Sequence, residues 1–116
     1  MTEKKYDVLT SGYVSMDQMV KIQTPARVGY TSIITNKTNM QINYGGCGTN
    51  IACNMSRLGM CAMPVIRVGD DYEDIGFKKF LEDNRICTDA VEKVEGEATS
   101  RCYLVQDTQG QHITLF

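Results

Sequence analysis

The chain has 116 residues and a formal net charge of −2, with 42% hydrophobic residues. That is enough for one globular domain with a modest core. The near-neutral balance, without any basic run, excludes general nucleic-acid binding, which needs a basic face. No apolar stretch approaches the ~20 residues of a membrane span.

The start, "MTEKKYDVLTSG", holds no apolar segment of a signal peptide. A first strand is expected in "YDVLTSG", ending near Ser11-Gly12. "YVSMDQMVKIQ" continues extended, with Val20 and Ile22 alternating with Lys21 and Gln23. Thr24-Pro25 breaks it. "VGYTSIIT" and "NMQINY" read as two further strands around an "NKT" turn. This excursion, about 20–44, looks too exposed for the main sheet. The period then becomes helical: Ile51, Met55 and Leu58 form a stripe, with Thr49 or Asn50 as cap and Gly59 as stop. "MPVIRVG" reads as a buried strand. "DDYEDIGFKKFLEDN" reads as a helix near 73–83, its acids at the N-terminus. "SRCYLVQ" and "QHITLF" form a hairpin around Asp107–Gly110. The whole is an α/β unit with a small β-excursion.

The five cysteines (47, 53, 61, 87 and 102) are odd in number and contain no C-x-x-C pair, against a disulfide scaffold or a zinc site. They are expected to pack as small hydrophobes. Free thiols without an export signal fit a cytoplasmic protein. His112, the sole histidine, is expected on a strand surface.

"YGGCGTNIACN", residues 44–54, carries the chemistry. A dinucleotide fingerprint needs G-x-G-x-x-G, but its third glycine position is Ile51. A P-loop needs G-K-[ST], but the sequence reads Gly48-Thr49-Asn50. What remains is a loop bringing bare backbone to a ligand. Gly45 and Gly46 permit close approach, the helix start offers N–H groups, and Asn50 both donates and accepts. That suits sugar hydroxyls. Asp17 in "GYVSMD" could accept from two adjacent hydroxyls, or be a solvated turn residue.

The run Gly45-Gly46, Gly48, Asn50, Ala52, Gly59 and Gly69, followed by "GDDYEDIG", resembles the first signature of the ribokinase-like, phosphofructokinase-B type carbohydrate kinase family. "GYVSMD" resembles that family's N-terminal segment with its sugar-holding aspartate. The resemblance implies a Rossmann-like α/β domain with a small β-sheet lid at about 20–44. It also implies ATP-dependent phosphorylation of a primary hydroxyl on a sugar or nucleoside. It places Asp17, Gly45, Gly46 and Asn50 around the acceptor, with Ser15 close by. Residues 1–116 would be the acceptor-binding part; the catalytic aspartate, the ATP site and the Mg2+-associated acids belong to a C-terminal part not represented here. Cys47 departs from ribose-specific members, which often carry lysine there; a thiol donates weakly, which speaks against plain ribose. The lid sequence and "RCYLVQD" look more like adenosine- and nucleoside-type members than fructokinases. Phe116 could stack on a base, or be a core aromatic. Lids in this family can pair between subunits, which makes a homodimer through residues 28–44 a further expectation. A non-enzymatic binding module and a dinucleotide-dependent oxidoreductase are the competing readings.

Overall fold

Short β-prone runs separated by glycine and polar turns give the described residues seven strands and two helices. The computed structural model describes residues 5–116. In chain order the elements are β1 (Val8–Ser11), β2 (Ser15–Lys21), β3 (Ile42–Gly45), α1 (Cys47–Arg57), β4 (Ala62–Gly69), α2 (Phe77–Asp83), β5 (Val91–Val94), β6 (Arg101–Gln106) and β7 (His112–Leu115). They fall into two units: the described residues up to Ser15 with Tyr44–Ser100, and Met16–Asn43 with Arg101–Phe116.

The first unit is built on a parallel sheet of order β1-β4-β5. β4 alternates: Ala62, Ile66 and Val68 are buried, while Val65 and Arg67 are exposed. Only one face of the strand therefore meets the helices. α1 packs against β1 and β4. The apolar stripe expected to bury α1 does not do so, since Ile51 is 46% and Leu58 76% exposed. The buried face is instead Gly48, Thr49, Ala52 and Cys53. Small residues let the helix approach the sheet closely. α1 also begins earlier than expected, at Cys47, and neither Thr49 nor Asn50 caps it. Gly59 ends it with a φ of 87°, as the sequence suggested.

α2 starts later than its acids implied. Residues 70–76 form turns, Gly76 takes a left-handed φ of 80°, and the fully buried Phe77 and Leu81 anchor the helix. The acids hold a neighbouring turn. Asp71 Oδ1 accepts from Thr99 N at 2.9 Å and Thr99 Oγ1 at 2.7 Å, and Thr99 Oγ1 accepts from Gly69 N at 3.0 Å. Asp70 Oδ2 accepts from Gly96 N at 2.6 Å. Gly69 has no room for a side chain, since a Cβ there would lie 2.2 Å from Glu97 O.

The second unit holds most of a four-stranded sheet of order β3-β2-β6-β7. β2 and β6 are parallel, with Asp17 opposite Cys102 and Val20 opposite Val105. β6 and β7 are antiparallel, with Val105 opposite Ile113. Their hairpin turn is the expected one: Asp107 Oδ1 accepts from Gln109 N and Gln111 N at 2.8 and 3.1 Å. "VGYTSIIT" does not form the expected strand and makes only an isolated bridge, Ile34 to Ile22. Polar side chains hold that segment instead. Ser32 Oγ donates to Thr24 O at 2.9 Å, and Asn36 accepts from Lys21 N at 2.8 Å and donates to Met19 O at 2.8 Å.

All five cysteines are free. Cys53 and Cys102 pack as expected, and burial pushes both thiols up. Cys47 and Cys61 are exposed, which corrects the packing expectation for that pair. His112 is exposed on β7, as expected.

The Asp71–Thr99 clamp uses charge-assisted bonds, each contributing about 1.5–3 kcal/mol. Asp71→Ala is expected to lower stability by at least one such increment, and Asp71→Asn by less, because the amide oxygen still accepts. Denaturant titration of the two variants checks the order.

Candidate functional site

The end of β3, the glycine turn and the start of α1 lie against the segment that follows β1. Gly46 has a φ of 93°, and a Cβ there would sit 2.0 Å from Tyr13 O and 2.8 Å from Val14 Cα. No L-side chain fits. A Cβ on Gly12 would meet Gly48 N at 2.9 Å, and one on Gly48 would meet Ser11 C at 3.0 Å. Thr10 Oγ1, buried, donates to Gly48 O at 2.7 Å. The close approach that Gly46 and Gly48 permit is thus made first by the chain's own residues 10–14.

Gly45 and Gly46 are buried, and Asn50 is exposed in the first turns of α1. Asn50 N donates to Gly46 O at 2.9 Å. No side chain caps α1 and no acid lies in its first turn. The leading N–H groups of a helix have no intrahelical partners. They and the Asn50 amide form a neutral donor set at the end of the turn. Thr49 is fully buried, and its Oγ1 has no hydrogen-bond partner among the described residues.

Ser15 is buried at the start of β2. Gly45, Gly46 and Asn50 therefore share the first unit with Ser15 and with the residues leading to it. Asp17 and Phe116 belong to the second unit. Asp17 is half-buried on β2, opposite Cys102, and its charge adds to the burial that raises the Cys102 thiol. Phe116 follows β7 and is 73% exposed, so it is not a core aromatic. Arg101 is exposed at the start of β6. Sequence reasoning missed Thr10, Gly12 and Tyr13, which shape the turn from outside its motif. The small-residue run Thr10-Ser11-Gly12 was the available signal.

A separate hollow of about 490 Å³ lies in the first unit, lined by Ser11, Tyr13, Val65, Arg67, Glu92 and Ser100 among others. Arg67 and Glu92 pair there at 2.8 Å. Gly45, Gly46 and Asn50 do not line it. Among the described residues no group of three or more His, Cys, Asp or Glu is placed to hold a metal ion. No helix among them is long and apolar enough to cross a membrane.

A parallel α/β sheet whose helix is entered through a glycine turn, with a small separate sheet, is the ribokinase-like architecture. Residues 9–116 match the pfkB family carbohydrate kinases, and the chain belongs to that family. It is 26% identical over 110 residues to a nucleoside kinase of Methanothermobacter thermautotrophicus, covering 95% of this chain and 35% of the relative. The chain thus spans about a third of that relative's length. Its fold superposes on the nucleoside kinase of Methanocaldococcus jannaschii, an archaeal member of the ribokinase family, with a TM-score of 0.82 at 21% identity, covering 93% of this chain and 35% of that one. It is also similar to the Arabidopsis thaliana ribokinase complexed with ribose and ATP, with a TM-score of 0.79 at 23% identity, covering 95% and 35%.

Gly46→Ala is expected to destabilise the protein by about 2 kcal/mol or more, from a clash with backbone and a disfavoured φ. Thr49→Val, three residues on, keeps the shape and removes an unpaired buried hydroxyl. It is expected to be neutral or stabilising. Thermal melts of the pair test whether close backbone approach, and not general crowding, governs this turn.

Proposed function

We propose that residues 1–116 are the acceptor-binding part of an ATP-dependent kinase that phosphorylates a primary hydroxyl of a nucleoside or sugar, with a nucleoside favoured. The observation that carries this reading is the uncapped, uncharged turn from Gly45 to Asn50, set beside residues 10–15, in a chain of the pfkB family. Neutral donors and acceptors at fixed backbone positions suit hydroxyl groups. In this reading the Gly45–Gly46 backbone and the Asn50 amide bind acceptor hydroxyls. The Ser15 hydroxyl assists. Asp17 accepts from a hydroxyl pair and holds it in alignment, on which phosphoryl transfer depends. Exposed Phe116 offers a ring for a base. Similarity to a nucleoside kinase and the exposed Cys47 thiol support a nucleoside over plain ribose.

The glycine turn of this chain lacks the G-K-[ST] ending of a phosphate loop. Gly46 and Gly48 are taken up against residues 11–14, and no lysine follows them. ATP and its Mg2+ are therefore assigned mainly to parts of the protein outside these residues, together with the catalytic base. The five free thiols support a cytoplasmic setting.

A second reading concerns partners. Val20, Tyr103, Val105, Ile113 and Leu115 share one face of the small sheet by register, and Tyr103, Ile113 and Leu115 are exposed. This face of the small sheet is proposed to pair with that of a second copy. The full-length protein is then expected to sediment as a dimer, and Ile113→Lys to shift it to monomer. A monomeric wild type, or a variant that stays dimeric, removes this reading.

The acceptor assignment is tested in the full-length enzyme with Asp17→Ala and Asn50→Ala. Losing two charge-assisted bonds at Asp17 is expected to lower acceptor kcat/KM on the order of a hundredfold, and Asn50→Ala to lower it less. The KM for ATP should stay near wild type in both. Wild-type acceptor kcat/KM in both variants would overturn the site.

A further inference from the structure

Tyr44, the residue before the glycine turn, is tied to the entry of α2. Its hydroxyl donates to Ile75 O at 2.6 Å. Its ring packs edge-on against Phe77, with centroids 5.2 Å apart, and tilted against Phe80 at 4.9 Å. Gly76 completes the seat. It has a φ of 80°, and a Cβ there would come within 2.8 Å of the Tyr44 hydroxyl oxygen. Ile75 is not a loose acceptor, because its own N–H donates to Asp71 O at 2.9 Å, and Asp71 is held by Thr99. The glycine turn is therefore gripped on two sides. Residues 13–14 press on Gly46, and the 71–76 turn holds Tyr44, one residue before Gly45.

The two parts of the tyrosine do different things. The ring buries apolar surface on Phe77 and Phe80, which phenylalanine would do equally well. The hydroxyl adds direction. It fixes the height of the strand end relative to the 71–76 turn, and with it the position of the Gly45 and Gly46 backbone.

We propose that the Tyr44 hydroxyl is a positioning group for acceptor binding, holding the Gly45–Gly46 backbone where acceptor hydroxyls meet it. This rests on the acceptor-site reading above. Tyr44 does not touch the acceptor; it acts through the turn.

The test is steady-state kinetics of the full-length enzyme with Tyr44→Phe, which keeps the ring and removes only the hydroxyl. The KM for the acceptor is expected to rise about three- to tenfold, the effect of one neutral hydrogen bond, with kcat and the KM for ATP changed less than about twofold. Gly76→Ala, which crowds the hydroxyl from the other side, should shift the acceptor KM in the same direction. Asn50→Ala is measured beside them. If Asn50→Ala raises the acceptor KM and Tyr44→Phe does not, the positioning role is wrong and the site stands. If neither does, the positioning role is wrong, and the site falls with it unless Asp17→Ala lowers the acceptor kcat/KM. Equal rises in acceptor and ATP KM for Tyr44→Phe would also overturn the proposal, because that is the signature of a general structural loss.

Discussion

The backbone at Gly46 passes so near the Tyr13 carbonyl that a Cβ there would lie 2.0 Å from its oxygen. Much of the first unit follows from that approach. A helix that starts this close to another stretch of main chain must present its smallest residues to the sheet, which is why Gly48, Thr49, Ala52 and Cys53 are the buried face of α1. The Thr10 hydroxyl then reaches Gly48 O directly. A position set by backbone contact has few alternatives to lose on binding. Groups presented there to a ligand are pre-organised without the entropy cost of ordering long side chains.

The C-terminal end of β4 in the same sheet is closed by a different device. Gly69, Asp70 and Asp71 grip the turn at 96–99 through hydrogen bonds to backbone N–H groups and the buried Thr99 hydroxyl. A carboxylate is an acceptor with room for several partners, so it can satisfy a turn that a hydrophobic contact could not. These two acids are therefore spent on the fold.

What the sequence revealed and what it hid divide along physical lines. β1, β4, the 101–115 hairpin and the Gly59 stop were legible because each rests on local signals: alternation, turn residues, a left-handed glycine. The burial of α1 was not. A stripe read from Ile51, Met55 and Leu58 weights hydrophobicity, whereas a helix forced against backbone selects for small volume. "VGYTSIIT" has the composition of a strand, but Thr24, Ser32 and Asn36 offer its neighbours side-chain hydrogen bonds that compete with a ladder. β5, "VEKV", went unseen because two charged residues mask it; its pairing comes from β4. In the candidate site the turn at Gly45-Gly46 leading into a helix was legible from its glycines. Tyr44 was not, because its partner is the carbonyl of Ile75, 31 positions along the chain.

The charge pattern of the proposed acceptor residues also limits what they can receive. From Gly45 to Asn50 there is neither acid nor base, so the turn offers dipoles alone. Asp17, where the acceptor hydroxyls are proposed to be held, adds a negative charge. A carboxylate accepting from hydroxyls favours a neutral polyol, and it opposes a phosphate brought to the same place, since like charges set side by side cost several kcal/mol. An acceptor already phosphorylated at the hydroxyls facing Asp17 would be rejected, while one bearing free hydroxyls there would be bound. The same repulsion does not reach a phosphoryl group at the far end of the acceptor, because at physiological salt it is screened over about 8 Å. In the proposed acceptor reading, discrimination by Asp17 is therefore positional: it would set which end of the acceptor enters.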